Sequence, residues 1–325
     1  MAEPGISGEK TEQPAGVAPV PDVTVSIINT NNRQMTLDCL RSVFANTHRV
    51  SLEVFVVDNA CTDGSAEAIQ AEFPQVRLIR NEHRLGFSTN NNMVFRQAQG
   101  RYLLMLNDDT LVQPGALDGM VEFMDAHPRA GVVGARLLNP DGSNQPAFAD
   151  FPGPGDFLQP LLTRLQPNKW DVAAPIRVDS VCGACMMVRR QVAESVGLLD
   201  TEFDPLYVEE REWCFRIHQQ GWDIYHLPSA RVIHFGGQTS KRTSEIMTRH
   251  VYMHRLLFCR KHYSKSRVFV YQLFLSTVAL LKTLAWGLRA LLTAGERRAK
   301  AVERMRCHST LIGGAWLRGS RRTGS

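Results

Sequence analysis

Three short apolar runs in the first 110 residues each stop abruptly at a polar cluster, and this repeated arrest limits the folds open to the chain. Val23 to Ile28 gives way to Asn29–Asn32, Leu52 to Val57 to the segment Asp58–Ser65, and Tyr102 to Leu106 to Asn107-Asp108-Asp109. Between them lie helical patterns through Leu37, Leu40, Val43 and Phe44 and over Phe87–Ala98, with a further strand at Val76–Arg80. Nearly continuous apolar runs mark strands buried on both faces, and strands alternating with helices imply a doubly wound, mostly parallel sheet. Such sheets bind ligands beyond the carboxyl ends of their strands, which is where the polar clusters fall. The periodicity therefore predicts both an α/β fold and the place of its site.

The second half is less regular. Residues 139–180 are rich in Pro, Gly and Asp and read as a long loop region. Gly183–Arg189 is expected to be a strand, Arg190–Val196 a short helix, the acidic run within Leu206–Gln220 the start of another helix, and Trp222–His234 a strand region. The organisation read from the sequence is a disordered leader over 1–20, a catalytic domain over 21–240 and a basic helical tail over 241–325. The catalytic domain divides into a nucleotide-sugar half (21–135) and an acceptor half (136–240), once the resemblance described below is considered.

Charge separates body from tail. From Lys241 onward there are eighteen Lys/Arg against three Asp/Glu, leaving nineteen against twenty-nine in residues 1–240. A tail of net charge +15 on a body of −10 suits a polyanionic surface, either nucleic acid or anionic lipid. Val268–Ala294 is mostly apolar but broken by Lys282 and Arg289, so it reads as one or two amphipathic helices in a membrane interface rather than a spanning helix. Arg297, Arg298, Lys300, Arg304 and Arg306 would then face lipid head groups. The alternative is a helical hairpin that covers the catalytic domain or a homodimer partner. No aromatic-basic RNA motif accompanies the basic residues, which argues against nucleic acid. Seven cysteines, an odd number and scattered, suggest a reducing compartment, and Met1–Val20 lacks a secretory apolar segment.

Single motifs are weak. Asp108-Asp109 at a strand end attracts a divalent cation, because adjacent carboxylates repel, but a dipeptide of this kind also caps helices. Asp58-Asn59 could accept hydrogen bonds from a base or ribose, or make an Asx turn. Gly86, among Asn81, Arg84, Asn91 and Asn92, would let a phosphate approach a helix start. Cys182-Gly-Ala-Cys185 has no second pair at zinc spacing and reads as two buried small residues.

Together, in order, the motifs resemble family 2 glycosyltransferases, the inverting GT-A group, and especially the rhamnosyltransferase-like members that build bacterial surface glycans. The resemblance spans about Val23–Gly237. It rests on the segments SIINTN (26–31), VVDNACTDGS (56–65), NEHRLGF (81–87), LMLNDDT (104–110), RLLNPDG (136–142), YVEEREWC (207–214) and VIHFGG (232–237).

The resemblance implies a nucleotide-sugar donor bound by Asn31, Asp58, Asn59, Arg84, Gly86, Asn91 and Asp108. It also implies a Mn²⁺ or Mg²⁺ ion held by Asp109, Asp108 and His234. Glu210 takes the position of the catalytic base, with Glu209 beside it or Glu212 sharing the role. The family usually carries Glu-Asp where this chain has Glu209-Glu210, so the carboxylate is displaced by one methylene. Arg211 is expected to keep the pair ionised.

The implied donor is dTDP-rhamnose first, then UDP-galactose, UDP-glucose or a UDP-N-acetylhexosamine. The implied acceptor is a glycan or a polyprenyl-diphosphate-linked sugar. The implied location is cytoplasmic, peripheral on the inner face of the cell membrane. A nucleotidyltransferase would also use strand-end acids, but no Gly-rich loop followed by a phosphate-holding Lys lies near the first strand. A degenerate, membrane-bound scaffold remains the non-enzyme reading.

Overall fold

The computed structural model describes residues 20–157, 169–236 and 244–316. The expected leader lies almost wholly outside these residues, as do Gly237 and the last nine residues of the tail. Four parallel strands, β1 (Val23–Asn29), β2 (Leu52–Asp58), β3 (Arg77–Arg80) and β4 (Tyr102–Asn107), form half of one large sheet in the order β3-β2-β1-β4. Their crossovers are α1 (Arg33–Asn46), α2 (Ser65–Glu72) and α3 (Phe87–Phe95). β1, β2 and β4 are buried along almost their whole length, as strands covered on both faces must be.

Beyond β4 the sheet changes direction. A short strand β5 (Thr110–Val112) and helix α4 (Ala116–Ala126) lead into β6 (Ala130–Leu138), a central strand that the sequence reading passed over. β6 opens Ala-Gly-Val-Val-Gly-Ala, and its glycines leave room for neighbours: a Cβ on Gly134 would lie 2.4 Å from the Val181 side chain. The Pro/Gly-rich region holds short strands β7 (Phe148–Ala149), β8 (Ile176–Arg177) and β9 (Ser180–Val181). Next, β10 (Cys185–Arg189) inserts antiparallel between β4 and β6, and helix α5 (Arg190–Val196) follows it. Helix α6 (Glu209–Gln219) precedes β11 (Asp223–His234), which runs parallel to β6 and antiparallel to β5.

Three helices complete the described chain: α7 (Ser244–His262), α8 (Lys265–Leu291) and α9 (Gly295–Trp316). α7 packs on the catalytic body. Leu256, Phe258 and Cys259 are fully buried in a cluster with Phe203 and Val208 of the body and Tyr271, Leu275 and Ala315 of the other two helices. α8 and α9 pack against each other as a hairpin. By length and composition alone α8 is also apolar enough to cross a membrane, its best 18-residue window having a mean hydropathy of 1.7. Its outer side is bare: Leu281 and Leu284 are each 61% exposed, and Phe269, Leu273, Leu280, Leu288 and Leu291 continue the stripe.

Candidate active site

Parallel register brings the three polar clusters level. Asn29 pairs with Asp58, and Ile28 with Asn107, so the loops after β1, β2 and β4 emerge at one edge. Asn31 takes a left-handed conformation (φ 56°), and its Oδ1 accepts the Thr62 amide proton at 2.7 Å, tying the first loop to the second. The Cys61 amide donates to Asp58 Oδ1 at 2.8 Å, which shapes the turn around that carboxylate.

Several expected donor contacts are spent on the protein itself. Asn59 donates to the Leu85 carbonyl and accepts from the Leu85 amide and from Asn81 Nδ2, so its side chain holds the 81–86 loop. Asn91 is buried inside α3, with Nδ2 on the Phe87 carbonyl. At Gly86 the structure offers another reason for glycine: a Cβ there would lie 2.1 Å from Asp204 Cγ. The Asp204 carboxylate caps α3, accepting from the Ser88 amide at 2.9 Å and the Thr89 hydroxyl at 2.5 Å. The anion at this helix start is thus a side chain of the second half. Arg84 stands exposed on the same loop.

Asp108 and Asp109 are both buried but face different ways. Asp108 Oδ2 accepts from Asn32 Nδ2 at 3.1 Å, and burial, reinforced by the charge of Asp109, pushes its carboxyl up to about 7. Asp109 Oδ1 lies 3.3 Å from His234 Nε2, brought there by pairing of β5 with β11 and by the bond from the Phe235 amide to the Asp109 carbonyl. No group of three metal-ligating side chains occurs among the described residues, so the set on hand is one carboxylate and one imidazole, with Asp108 behind them. Two protein ligands suit an ion that draws its remaining ligands from a diphosphate and water. The set therefore fits Mn²⁺ or Mg²⁺ bound together with a nucleotide.

Glu209 and Glu210 open α6 directly after Tyr207 and Val208, two successive non-glycine residues with φ near +79°. Left-handed strain of this kind persists only where the surroundings enforce it, and it concentrates at functional sites. Glu209 is buried, and its Oε2 has no partner among the described residues. Burial, and then the charge of Glu210, raises the Glu209 carboxyl well above its ordinary range. Half-buried Glu210 is also raised by burial, with Arg211 opposing the shift. The expected role of Arg211 is therefore only partly met, because its guanidinium also turns to the Asp150 carbonyl. Burial thus disfavours two negative charges at this pair, and Glu210 is the less buried of the two acids. Glu212 is committed elsewhere, to Arg216 at 2.9 Å and to His262 of α7 at 3.0 Å.

The 182–184 segment links the two acid pairs, because the Asn107 amide donates to the Ala184 carbonyl at 3.0 Å and a Cβ on Gly183 would lie 3.6 Å from the Glu210 side chain. Burial, reinforced by the charge of Glu210, lifts the Cys182 thiol to about 12. Burial lifts the Cys185 thiol as well, so neither is a thiolate ready for zinc or redox chemistry. Gly183, 3.6 Å from the Glu210 side chain at its Cβ position, leaves that approach open. Three residues that shape the site were not read from the sequence: Gln145, 2.9 Å from His234 Nδ1, Asp204 at the start of α3, and His254, 3.0 Å from the Tyr207 carbonyl. Each acts across more than 40 residues of chain, and none stands in a pattern that would single it out.

The profile described as "Glycosyl transferase family 2" matches residues 24–197, more than half of the chain. An N-acetylglucosaminyl-diphospho-decaprenol L-rhamnosyltransferase of Mycobacterium tuberculosis is 27% identical over 215 residues, 59% of this chain and 69% of that one. Among solved structures, a mannosyltransferase of Pyrobaculum calidifontis in complex with GDP-Man and Mn²⁺ superposes with a TM-score of 0.56 at 18% identity. It covers 91% of this chain and 88% of its own. GalNAc-T7 with UDP, GalNAc and Mn²⁺ gives 0.53 at 20% identity, over 66% of this chain and 43% of that one. These likenesses show the α/β GT-A architecture expected from the sequence. On the extent of the profile match, the chain belongs to the family 2 glycosyltransferases.

Proposed function

We propose that the protein transfers a sugar, with inversion at the anomeric carbon, from a nucleotide-sugar to a hydroxyl of a lipid-linked or glycan acceptor. The observation that carries this reading is the pair of acid sites linked by the 182–184 segment, one suited to a diphosphate-bound cation and one to an acceptor proton. Asp58 and Asn31 border the place for the base and ribose. Asp109 and His234, with Asp108 behind them, hold the divalent ion, which neutralises charge on the leaving diphosphate when bound. Glu210 takes the proton of the acceptor hydroxyl as that oxygen bonds to the anomeric carbon and the bond to the diphosphate breaks. Glu209, kept neutral, stops a second negative charge from developing beside Glu210. A single displacement needs no enzyme nucleophile.

dTDP-rhamnose is the first donor to try, supported by likeness to the mycobacterial rhamnosyltransferase, whose name also supports a polyprenyl-diphosphate acceptor. UDP-hexoses and UDP-N-acetylhexosamines follow. A membrane-borne acceptor agrees with the bare leucine stripe of α8 and with the exposed Arg297, Arg298, Lys300, Arg304 and Arg306 of α9. Both features support the reading of an enzyme peripheral on the cytoplasmic face of an anionic membrane. Replacing Leu281, Leu284 and Leu288 together by Ser should release it from phosphatidylglycerol vesicles, because each buried leucine contributes roughly 1.5–3 kcal/mol. Undiminished cosedimentation, or a dimer of the wild type broken by the same changes, would move the stripe from lipid to a second copy.

The reaction is tested by donor binding and hydrolysis across dTDP-, UDP- and GDP-sugars, with Mn²⁺, Mg²⁺ or EDTA, on wild type and Asp109→Ala. Metal-dependent use of one donor, lost in the variant, supports the proposal and names the sugar nucleotide. No binding of any donor refutes it and favours the scaffold reading.

A further inference from the structure

We infer that Gln145 is a positioning residue for the cation site, one that fixes the tautomer of His234 so that Nε2 presents a lone pair beside Asp109. The inference rests on the metal reading above and adds to it how the chain prepares a two-ligand site.

The geometry leaves little choice of hydrogen position. Gln145 Nε2 donates to the His234 carbonyl at 2.5 Å and to Asn139 Oδ1 at 2.7 Å. Both partners are acceptors, so the amide cannot turn over without facing oxygen to oxygen twice. Its Oε1 is thereby aimed at His234 Nδ1, 2.9 Å away, and an oxygen there requires Nδ1 to carry the proton. Neutral His234 then bears its lone pair on Nε2. Asn107 Nδ2, 3.3 Å from Nε2, is a donor and agrees with that assignment.

The consequence appears on the other side of the ring. Asp109 Oδ1 sits 3.3 Å from Nε2, so a carboxylate oxygen and a nitrogen lone pair confront each other. That contact is repulsive unless a cation lies between them. In the other tautomer Nε2–H would donate to Asp109 and close the site with a hydrogen bond. Gln145 thus decides whether the pair is open to a cation or bonded to itself. Hydrogen bonds from the second nitrogen of a ligating histidine usually perform this service.

The backbone fits the role. The Gln145 amide donates to the Leu137 carbonyl at 2.8 Å, and the turn 139–143 folds the segment back against the end of β6. Gly236, with φ 62°, bends the chain after β11 beside this amide, where a Cβ would lie 3.7 Å from Gln145 Nε2.

The test uses the full-length protein with ¹⁵N-labelled histidine, stripped of metal at pH 8, with the His234 signal identified by its loss in His234→Gln. Wild type should show the Nδ1–H tautomer. Gln145→Met, nearly the same shape without the amide, should show a mixture and bind Mn²⁺–dTDP about 10–100-fold more weakly by calorimetry. Asn139→Ala, which disturbs the same turn but leaves the bond to His234, should keep the tautomer and the affinity. An Nε2–H tautomer in the wild type overturns the inference without any variant, whether or not Gln145→Met folds. Equal Mn²⁺–dTDP affinity in wild type and Gln145→Met overturns it as well. Wild type with the expected tautomer but no Mn²⁺-dependent binding of dTDP, UDP or GDP refutes the metal reading itself and leaves Gln145 an anchor of the turn.

Discussion

Asp108 and Asp109 follow β4, the last of four parallel strands drawn from the first 110 residues, whereas Glu209 and Glu210 begin a helix whose supports come from the second half and the tail. The first pair is shaped by the sheet and its strand-end loops: register with β1, Asn32 at 3.1 Å, and His234 delivered by β5–β11 pairing. The second depends on the strained Tyr207-Val208, whose Tyr207 carbonyl accepts from His254 Nδ1 of α7 at 3.0 Å. Lys261 reaches Asp200 and Glu202, and His262 reaches Glu212. The same α7 continues into the leucine-faced α8. One helix therefore joins the segment bearing the proposed proton acceptor to the surface read as membrane-facing. The comparison predicts that the proposed donor binding and proton transfer rest on separable supports.

The largest effect should come from separating the pairs chemically. Glu210→Gln is expected to lower kcat by about 10²–10⁴-fold with donor affinity unchanged, whereas Asp109→Asn should weaken metal-dependent donor binding itself. Steady-state rates and donor titrations on both variants check this, and equal loss of donor affinity in the two would erase the distinction.

A smaller effect should follow from loosening the support on the tail side. His254→Ala removes the bond to Tyr207, so kcat should fall about tenfold while Mn²⁺–donor binding holds and stability drops by about 1 kcal/mol. A loss of stability at constant kcat would make α7 a mere packing element.

The smallest effect is a dependence of stability on pH. Burial raises the Glu209 carboxyl above 4.5, so the folded chain holds a proton that the unfolded chain releases. Its contribution is then full below pH 4.5 and declines as pH rises above that value. Glu209→Gln should raise Tm by roughly 2–4 °C near pH 8 and change nothing near pH 4, read by thermal unfolding at both. A gain independent of pH would show that Glu209 is not held protonated.

The legible parts of the molecule share a property: their patterns are local. Leu52–Asp58 and Arg190–Val196 were placed to the residue because a buried strand or short helix writes its period into consecutive positions. β6 was passed over because its small residues follow from packing against Val181, some fifty positions away. The apolar character of α8 was visible, but its packing against α9 and the docking of α7 on Phe203 and Val208 were not.

By itself, then, the sequence determined the α/β class, the strand ends at which ligands gather, the acid pairs and the segregation of basic charge into the tail. These follow from side-chain periodicity and from residue types at fixed spacing, which need no knowledge of the rest of the chain. Tertiary structure alone decided that Asp204 caps the helix at Gly86, that Asn59 holds a loop, and that Gln145 stands behind His234. Each of these is a contact between distant segments, made only because the sheet closes in one order, and no local pattern records which partner will arrive.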